Sequence, residues 1–200
     1  MKYNPVEVSQ LRPDYMGFIF YDKSPRNFTD NGIPSLPEGI KKVGVFVKAE
    51  IDFIIEKCKK LGLDVIQLHG EETADYCTDI KTRLKTESFE IDLWKVFSIK
   101  DKFDFSVLKN FEPAVDKFLF DTKGKEKGGN GYTFDWQLLK EYPSTKPFIL
   151  SGGIGLQELD KLKSIFETRL PIYAVDVNSK FEDKPGLKNI KDLKKFIDEL

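Results

Sequence analysis

The chain has 200 residues, 40% of them hydrophobic, so it can bury one substantial core and is short for two. Its 32 Lys and Arg residues nearly balance 33 Asp and Glu, and the net charge is -1. That balance argues against a nucleic-acid partner, because neutralising a phosphate backbone needs a basic surplus. No apolar run is long enough to span a membrane and the N-terminal residues lack the apolar core of a signal peptide. We expect a single cytoplasmic domain, residues 1–200, with no membrane partner.

Seven short apolar runs predict strands. The runs are apolar on both faces rather than alternating, which is typical of parallel strands covered by helices. They recur at the spacing of one strand–helix–strand repeat. The predicted strands are residues 15–21, 42–47, 65–69, 93–98, 117–121, 147–150 and 172–177.

Three of the intervening segments carry apolar residues at the spacing of one helix face. The first stripe is followed by Gly62, a typical helix stop. Cys58 lies on that stripe, so we interpret it, and similarly Cys77, as a small buried hydrophobe. The stripes are Ile51, Ile54, Ile55 and Cys58; Leu156, Leu159, Leu162 and Phe166; and Ile190, Leu193, Phe196, Ile197 and Leu200.

Repeated strand–helix units form either an open doubly wound sheet or a closed (β/α)8 barrel of the TIM-barrel type. A barrel needs eight strands, and the chain offers seven. Asn4 and Pro5 predict the start of a helix, with Asn4 as its cap, and such a helix should follow a strand. Only three residues precede Asn4. We therefore predict an α/β barrel whose first strand is missing from this chain.

The fifth predicted strand ends on Asp121. A basic, glycine-rich loop follows, and residues 134–136 read as a helix entry. A carboxylate at the carboxyl end of a buried strand, beneath a loop, is where α/β enzymes place an acid or base. Taken by itself, such a residue would more often cap the loop, and the motifs that follow favour the functional interpretation.

Two glycine- or amide-bearing loops predict a phosphate site. Gly152 and Gly153 follow the sixth predicted strand, and Asn178 and Ser179 follow the last. In barrels these final two loops commonly bind phosphate through backbone N–H groups. A Gly-Gly pair alone could simply close a turn, but two such loops in adjacent units favour binding. Asp176 precedes Asn178 by two residues, so both face one side of the strand and Asp176 can contact substrate hydroxyls.

Taken in order, these motifs resemble the phosphoribosylanthranilate isomerases, barrel enzymes of tryptophan biosynthesis. Single motifs such as Gly-Gly are weak, but the ordered set is specific and runs from about residue 4 to the C-terminus. The matching segments are GFIFYDKSPR at 17–26, VGVFV at 43–47, QLHG at 67–70, FDT at 120–122, GGNGYTFDW at 128–136, SGG at 151–153 and VDVNSKFE at 175–182, followed by PG at 185–186.

The resemblance implies an Amadori rearrangement of N-(5-phosphoribosyl)anthranilate to 1-(2-carboxyphenylamino)-1-deoxyribulose 5-phosphate. This chemistry needs one acid and one base on opposite sides of the sugar, with no cofactor and no metal. By resemblance Asp121 is the general acid and Arg26 grips the anthranilate carboxylate, for which a guanidinium fork is suited. The chain's only histidine, His69, could transfer protons on general grounds. The resemblance gives His69 and Gln67 a role in shaping the pocket, although either could be structural.

The family's general base, a cysteine in a Lys-x-Cys-Gly context ending the first strand, has no counterpart here. We expect Cys58 and Cys77 to be unable to replace it, because both lie on predicted helices. Without the base, worth about 10²–10⁴-fold in rate, the chain should be a poor isomerase. It would also have two open sheet edges. An internal start codon or a degenerate copy would explain the difference. Asn130 and Asn178 are smaller departures from the pattern, and we expect Lys123, Lys125 and Lys127 to point to solvent.

Two other functions stay open. Another phosphate-binding barrel enzyme is one: an indoleglycerol phosphate synthase needs catalytic lysines, and Lys95 is the one mid-strand candidate, with no evident Glu partner. A pentose-phosphate epimerase needs several metal-binding histidines. The second is a phosphate-ligand-binding remnant that retains Arg26, Gly153 and Ser179 without turnover. In each case the partner is a small phosphorylated molecule, and the chain could be a monomer or a homodimer.

Overall fold

The computed structural model describes residues 1–30, 32–122 and 135–200. Among the helices of these ranges, none is long and apolar enough to cross a membrane. The helices are α1 (Pro5–Ser9), α2 (Ile51–Leu61), α3 (Ala74–Thr86), α4 (Leu159–Phe166) and α5 (Ile190–Glu199), with 3-10 turns at Phe105–Asn110, Trp136–Glu141, Leu156–Glu158 and Ser179–Phe181. The strands are β1 (Tyr15–Phe20), β2 (Lys41–Phe46), β3 (Val65–Leu68), β4 (Asp92–Ile99), β5 (Lys117–Thr122), β6 (Phe148–Leu150), β7 (Ile172–Val175), β8 (Glu182–Lys184) and β9 (Leu187–Lys188).

The first seven strands form one parallel sheet in the order β1-β2-β3-β4-β5-β6-β7. Every predicted strand is therefore confirmed, and each lies beside its neighbour in sequence, as in a (β/α) barrel. Within the described residues, β1 and β7 are the two edges of this sheet. We call the space between them the strand gap. The prediction that a further strand belongs there remains a prediction.

The core has two layers, because successive strand residues point to opposite faces of the sheet. A smaller cluster fills the barrel interior, and a larger one packs the sheet against the helices. The interior cluster consists of Val43, Val45, Val65, Trp94, Val96, Leu119 and Ile149. Both sheet faces are thus buried, which accounts for the near-continuous apolar runs in the sequence.

Side chains bridge the strand gap at the amino ends of the strands. The hydroxyls of Tyr15 on β1 and Tyr173 on β7 lie 2.5 Å apart. Tyr15 packs edge-on against Trp94 with ring centroids 5.1 Å apart. The Lys117 ammonium lies 4.5 Å from the centroid of the Tyr173 ring. These four side chains form a floor to the barrel interior.

The helical stripes are confirmed in part. Gly62 ends α2 in the left-handed conformation, with φ 59, as predicted. On α4, however, Ile165 is buried and Phe166 is 42% exposed. On α5, Ile197 and Leu200 are likewise 42% and 48% exposed. These three exposed residues line the cavity that opens at the strand gap, so they lack a neighbouring strand to pack against in the described part of the chain.

Asn4 precedes α1 as predicted, but the expectation that its side chain caps the helix is wrong. The side chain makes no capping bond. Instead its amide donates to the Lys188 carbonyl and its oxygen accepts from the Lys188 N–H, both at 2.9 Å. Asn4 thus acts like a strand partner of β9. Since β8 and β9 are only three and two residues long, the sequence pattern did not predict them.

Candidate active site at the carboxyl ends of the strands

Asp121 lies near the carboxyl end of β5, on the face that points into the barrel. Its Oδ2 is 3.3 Å from His69 Nε2, just beyond the end of β3. The two side chains are 23% and 33% exposed, so both are reachable from solvent at the barrel mouth. The structure therefore brings together a carboxylate and an imidazole that lie 52 positions apart in the chain (121 − 69).

Gln67 sets the orientation of the His69 ring. Its Nε2 lies 3.2 Å from His69 Nδ1. An amide nitrogen can only donate, so this contact favours the neutral tautomer in which Nδ1 accepts and Nε2 carries the proton. The predicted alternation of Gln67 and His69 onto one face is thus observed. With Asp121, whose Oδ2 lies 3.3 Å from His69 Nε2, they form a row of neighbouring polar groups across the mouth.

A second carboxyl group, Asp176, follows β7 at the same end of the barrel. The Ser151 hydroxyl donates to its Oδ2 at 2.9 Å. Burial raises the pKa of Asp176, and the nearby Asp121 charge adds to that rise, while the Ser151 hydrogen bond and His69 oppose it. The two carboxyl groups thus face one space in different environments, an arrangement common to acid–base sites.

Arg26 lies beyond β1 and is held by Glu182 of the β8–β9 hairpin. The carboxylate accepts from Arg26 Nε at 2.8 Å and contacts Nη2 at 2.7 Å. The side chains are 19% and 4% exposed, so the pair is largely buried. Glu182 occupies one edge of the guanidinium. The other edge, formed by Nη1 and the second Nη2 proton, retains the parallel donors that match a carboxylate.

Lys188 on β9 completes this charged group. Its ammonium donates to the Asn178 side-chain oxygen at 2.6 Å and to Glu182 at 3.1 Å. Burial lowers the pKa of Lys188, and the Glu182 charge opposes that change. Burial also opposes ionisation of Glu182, but Arg26 and Lys188 together hold its pKa below the ordinary value. Two cations share one anion, so the cluster suits an anionic ligand.

The predicted phosphate loops lie next to each other. Gly152 and Gly153 both adopt positive φ, 89 and 71. A Cβ on Gly152 would lie 2.2 Å from the backbone nitrogen of Thr122, so the loop after β6 packs tightly against the end of β5. A Cβ on Gly155 would lie 3.2 Å from Lys180, which adjoins Ser179 in the loop after β7.

A cavity of about 900 Å³ connects much of this site to the strand gap. Gln67, His69, Asp176 and Asn178 line it at the mouth, and Tyr15 and Tyr173 line it at the floor. Asp121 borders it through its contact with His69. The sequence reasoning assigned no role to Ser151, Glu182 or Lys188. Glu182 ends the matching segment at 175–182, and Lys188 was marked only by its position after Pro185-Gly186, a turn pair.

The two cysteines lie away from this mouth. Cys58 is on α2 and Cys77 on α3, and both are buried and unpaired. Burial raises the pKa of Cys58 to about 12 and that of Cys77 to about 11. Neither thiol is placed or ionised to act as a general base at this mouth, as expected.

The loop after β5 is described only at its ends. The predictions for Lys123, Lys125, Lys127 and Asn130 fall outside the described residues. At the far end, Asp135 accepts from the Gln137 N–H at 3.0 Å. It caps the 3-10 turn Trp136–Glu141, in agreement with the predicted helix entry.

Lys95 does have a Glu partner, so the expectation that it lacks one is wrong. Its ammonium lies 3.1 Å from Glu72, and the two side chains are 3% and 2% exposed. Its strand neighbours Trp94 and Val96 fill the barrel interior, so Lys95 points into the helix layer. A lysine there cannot serve as the catalytic amine that a synthase needs at the mouth.

Comparisons with known proteins identify the family of this chain. Residues 4–199 match the family described as N-(5'phosphoribosyl)anthranilate (PRA) isomerase. A relative from Parabacteroides distasonis, named N-(5'-phosphoribosyl)anthranilate isomerase, is 39% identical over 97% of this chain and 86% of its own length.

Solved structures of phosphoribosyl anthranilate isomerases have a similar fold. The phosphoribosyl anthranilate isomerase of Thermotoga maritima superposes with TM-score 0.80 and 31% identity, covering 98% of this chain and 92% of that one. Another such isomerase, solved in complex with reduced 1-(O-carboxyphenylamino)-1-deoxyribulose 5-phosphate, gives TM-score 0.77 and 27% identity over 98% and 91%. The chain belongs to the PRA isomerase family.

Proposed function

We propose that the chain binds N-(5-phosphoribosyl)anthranilate and that its fold catalyses the Amadori rearrangement of this compound in tryptophan biosynthesis. The observation that carries the proposal is the 3.3 Å contact of Asp121 with His69 at the mouth of a cavity shared with Asp176. This contact supports the assignment of Asp121 as the group that gives a proton to the sugar. The family match supports the same substrate. We also infer a cytoplasmic location.

Groups of suitable chemistry are available for each part of this substrate. The exposed edge of the Arg26 guanidinium suits the anthranilate carboxylate. The loops that carry Gly152, Gly153 and Ser179 suit the phosphate, through backbone N–H groups. Asp176 and Asn178, which line the same cavity, suit the sugar hydroxyls.

The proposed reaction only moves protons between the substrate and two protein groups, the acid Asp121 and a base. Asp121 gives a proton to the ribose ring oxygen as the nitrogen lone pair expels it and the C1–O bond breaks. A base then takes the C2 proton, giving an enolamine, which becomes the ketose by regaining a proton at C1 while the C2 hydroxyl loses one. Such general acid–base steps are each worth about 10²–10⁴-fold in rate.

We infer that an eighth parallel strand fits the strand gap and carries the base. Within the described residues, β1 and β7 are the two edges of the sheet. The gap-side edge of β1 is paired only in part, where the Phe28 N–H donates to the Ile19 carbonyl at 2.7 Å, and unpaired edges are rare in barrels of this type. Three large apolar side chains line the cavity there without full cover: Phe166, Ile197 and Leu200. The Met1 nitrogen also donates to the Gly17 carbonyl on β1 at 2.5 Å, a bond on the same edge that supports the inference.

The position of such a strand suits the chemistry. In a ring of eight, the strand in the gap lies opposite β4. The neighbours of β4 are β3, which leads to His69, and β5, which carries Asp121. A base at the carboxyl end of the added strand would therefore face Asp121 across the sugar.

The test compares two chains: residues 1–200 alone, and the same chain preceded by a strand ending in Lys-x-Cys-Gly. Calorimetry with a product analogue measures binding, and loss of substrate fluorescence measures turnover. We expect both chains to bind and the extended chain to turn over about 10²–10⁴-fold faster. A Cys-to-Ser change in the added strand is the matched control.

The outcomes separate the alternatives. If residues 1–200 alone are as active as the extended chain, the inference about the eighth strand is wrong. If both chains bind the analogue and neither turns over, the protein is a phosphate-ligand-binding remnant. If neither binds it, the proposed substrate is wrong.

A further inference from the structure

The Lys95 ammonium bonds to the backbone on both sides of His69. It donates to the Gly70 carbonyl at 2.8 Å and approaches the Leu68 carbonyl at 3.5 Å. Its remaining contacts are the Val96 carbonyl at 3.0 Å and the Glu72 carboxylate at 3.1 Å. One buried charge thus contacts the residues immediately before and after the site histidine.

The Glu72 carboxylate bonds to the same loop from the other direction. It accepts from the Gly70 N–H at 2.9 Å and from the Lys48 N–H at 2.8 Å. The His69 N–H itself donates to the Phe46 carbonyl at 2.8 Å. The loops after β2 and β3 are therefore joined through Glu72, and the backbone around His69 has little freedom.

Gly70 is required for this arrangement. A Cβ at that position would lie 2.6 Å from Glu72 Oε1 and 3.1 Å from a side-chain carbon of Lys48. The carboxylate can approach the loop only because residue 70 has no side chain. The Gly that ends the Gln-Leu-His-Gly segment thus leaves room for the Glu72 carboxylate.

Stability alone does not account for the pair. Burying two charges carries a desolvation cost that often exceeds their attraction, and a well-packed apolar pair of similar volume is commonly as stable or more so. Lys95 also points away from the barrel interior, so it does not touch the ligand space. Its contacts lead instead to His69, whose ring meets Asp121.

We propose that Lys95 and Glu72 are positioning residues that fix the backbone of His69 and thereby hold its ring against Asp121. The catalytic value of this contact rests on the proposed function, but the positioning itself does not. A direct measurement is available because His69 is the chain's only histidine. Its ring nitrogens give one unambiguous set of signals in a ¹⁵N spectrum.

In the unchanged chain we expect two well-separated ring-nitrogen shifts, with the proton fixed on Nε2. In Lys95→Met/Glu72→Gln, which keeps the volume and removes both charges, we expect the shifts to move towards a common value as the two tautomers exchange. The double change leaves no unpaired buried charge, so it should fold where Lys95→Met alone does not.

Lys117→Met is the matched control. Lys117 is also a strand lysine in an ion pair, 2.7 Å from Asp92, but it lies at the floor of the barrel. It should leave the His69 signals unchanged. If the folded double variant keeps the two separate shifts of the unchanged chain, the proposal is overturned.

Turnover supplies a second readout in the chain extended by the Cys-bearing strand. There the double variant should lower kcat by up to about 100-fold, as expected for a misplaced catalytic group, with a smaller change in KM. Loss of the fixed tautomer without any change in turnover would refute the catalytic role while leaving the positioning role in place.

Discussion

Glu182 holds the guanidinium of Arg26 side-on, with its Oε2 2.8 Å from Nε and 2.7 Å from Nη2. The residues come from opposite ends of the chain and meet only because the β8–β9 hairpin returns over the barrel mouth. An arginine fixed in this way loses little side-chain entropy when it binds a second carboxylate. The buried pair therefore prepares the unused edge of Arg26 for ligand.

Arg26→Lys should weaken binding of a product analogue about tenfold or more, because an ammonium cannot serve Glu182 and a ligand carboxylate with two parallel pairs of donors. Calorimetry measures the change. Arg83→Lys on α3, an arginine that is 46% exposed and paired with Asp52 and Glu87, should leave the affinity unaltered. Equal affinities for the Arg26 variant and the unchanged chain would show that Arg26 does not bind the ligand carboxylate.

Glu182→Gln should destabilise the chain by about 3–5 kcal/mol at pH 7, because it leaves two buried cations without their anion. The folded pKa of Glu182 lies below its ordinary value of 4.5. Its stabilising effect is therefore complete above pH 4.5 and disappears as the pH falls through the folded pKa.

Urea unfolding at several pH values measures this effect. The difference in free energy of unfolding between the unchanged chain and Glu182→Gln should become smaller below pH 4.5. Glu199→Gln, which alters an exposed pair on α5, should give a small difference throughout. If the difference in free energy of unfolding between Glu182→Gln and the unchanged chain stays constant with pH, the prediction is wrong.

Asp121→Asn should lower turnover of the strand-extended chain by about 10²–10⁴-fold, because an amide cannot give a proton to the ring oxygen. Affinity for the product analogue should change little, since the substitution keeps the shape of the side chain. Asp52→Asn on the surface of α2 is the control. Full turnover in the Asp121 variant would require another group as the acid.

Alkylation should distinguish the two buried cysteines from a catalytic one. With pKa values of about 12 and about 11, Cys58 and Cys77 carry almost no thiolate at pH 8. Iodoacetamide should modify them slowly in the folded chain and quickly in urea, as mass spectrometry can follow. Fast labelling under native conditions would show that one of the thiols is accessible and activated.

Gly152→Ala should lower the free energy of unfolding by about 1–3 kcal/mol through backbone strain, and a steric clash adds to that loss. The position has φ 89, and the new Cβ would lie 2.2 Å from the Thr122 nitrogen. Gly32→Ala is the control, since no atom lies within 4 Å of its added Cβ. Equal unfolding curves for the two variants would show that the loop after β6 relaxes.

The strands could be predicted from the sequence because burial on both sheet faces leaves a direct mark on composition. Residues 65–68 and 148–150, for example, are buried at every position. Their apolar composition alone is enough to identify them as strands. The site carboxylate and the glycine loops could be predicted for a related reason. In a barrel they come directly after the strands that position them.

The ion pairs could not be predicted in the same way. Lys95 and Glu72 belong to different strand–helix units, and their contact depends on the direction of side chains in the helix layer. Asn4 shows a related limit. Its sequence context fits a helix cap, but a backbone partner 184 residues away uses its side chain instead.

The phenol contact between Tyr15 and Tyr173 also bears on how the sheet edges meet other molecules. It joins the first and last strands of the sheet at one end, so the two edges face each other across the strand gap. A flat ribbon would offer two unprotected templates for stacking with other molecules. Facing edges leave less room for a second chain, which disfavours the edge-to-edge growth that leads to aggregates.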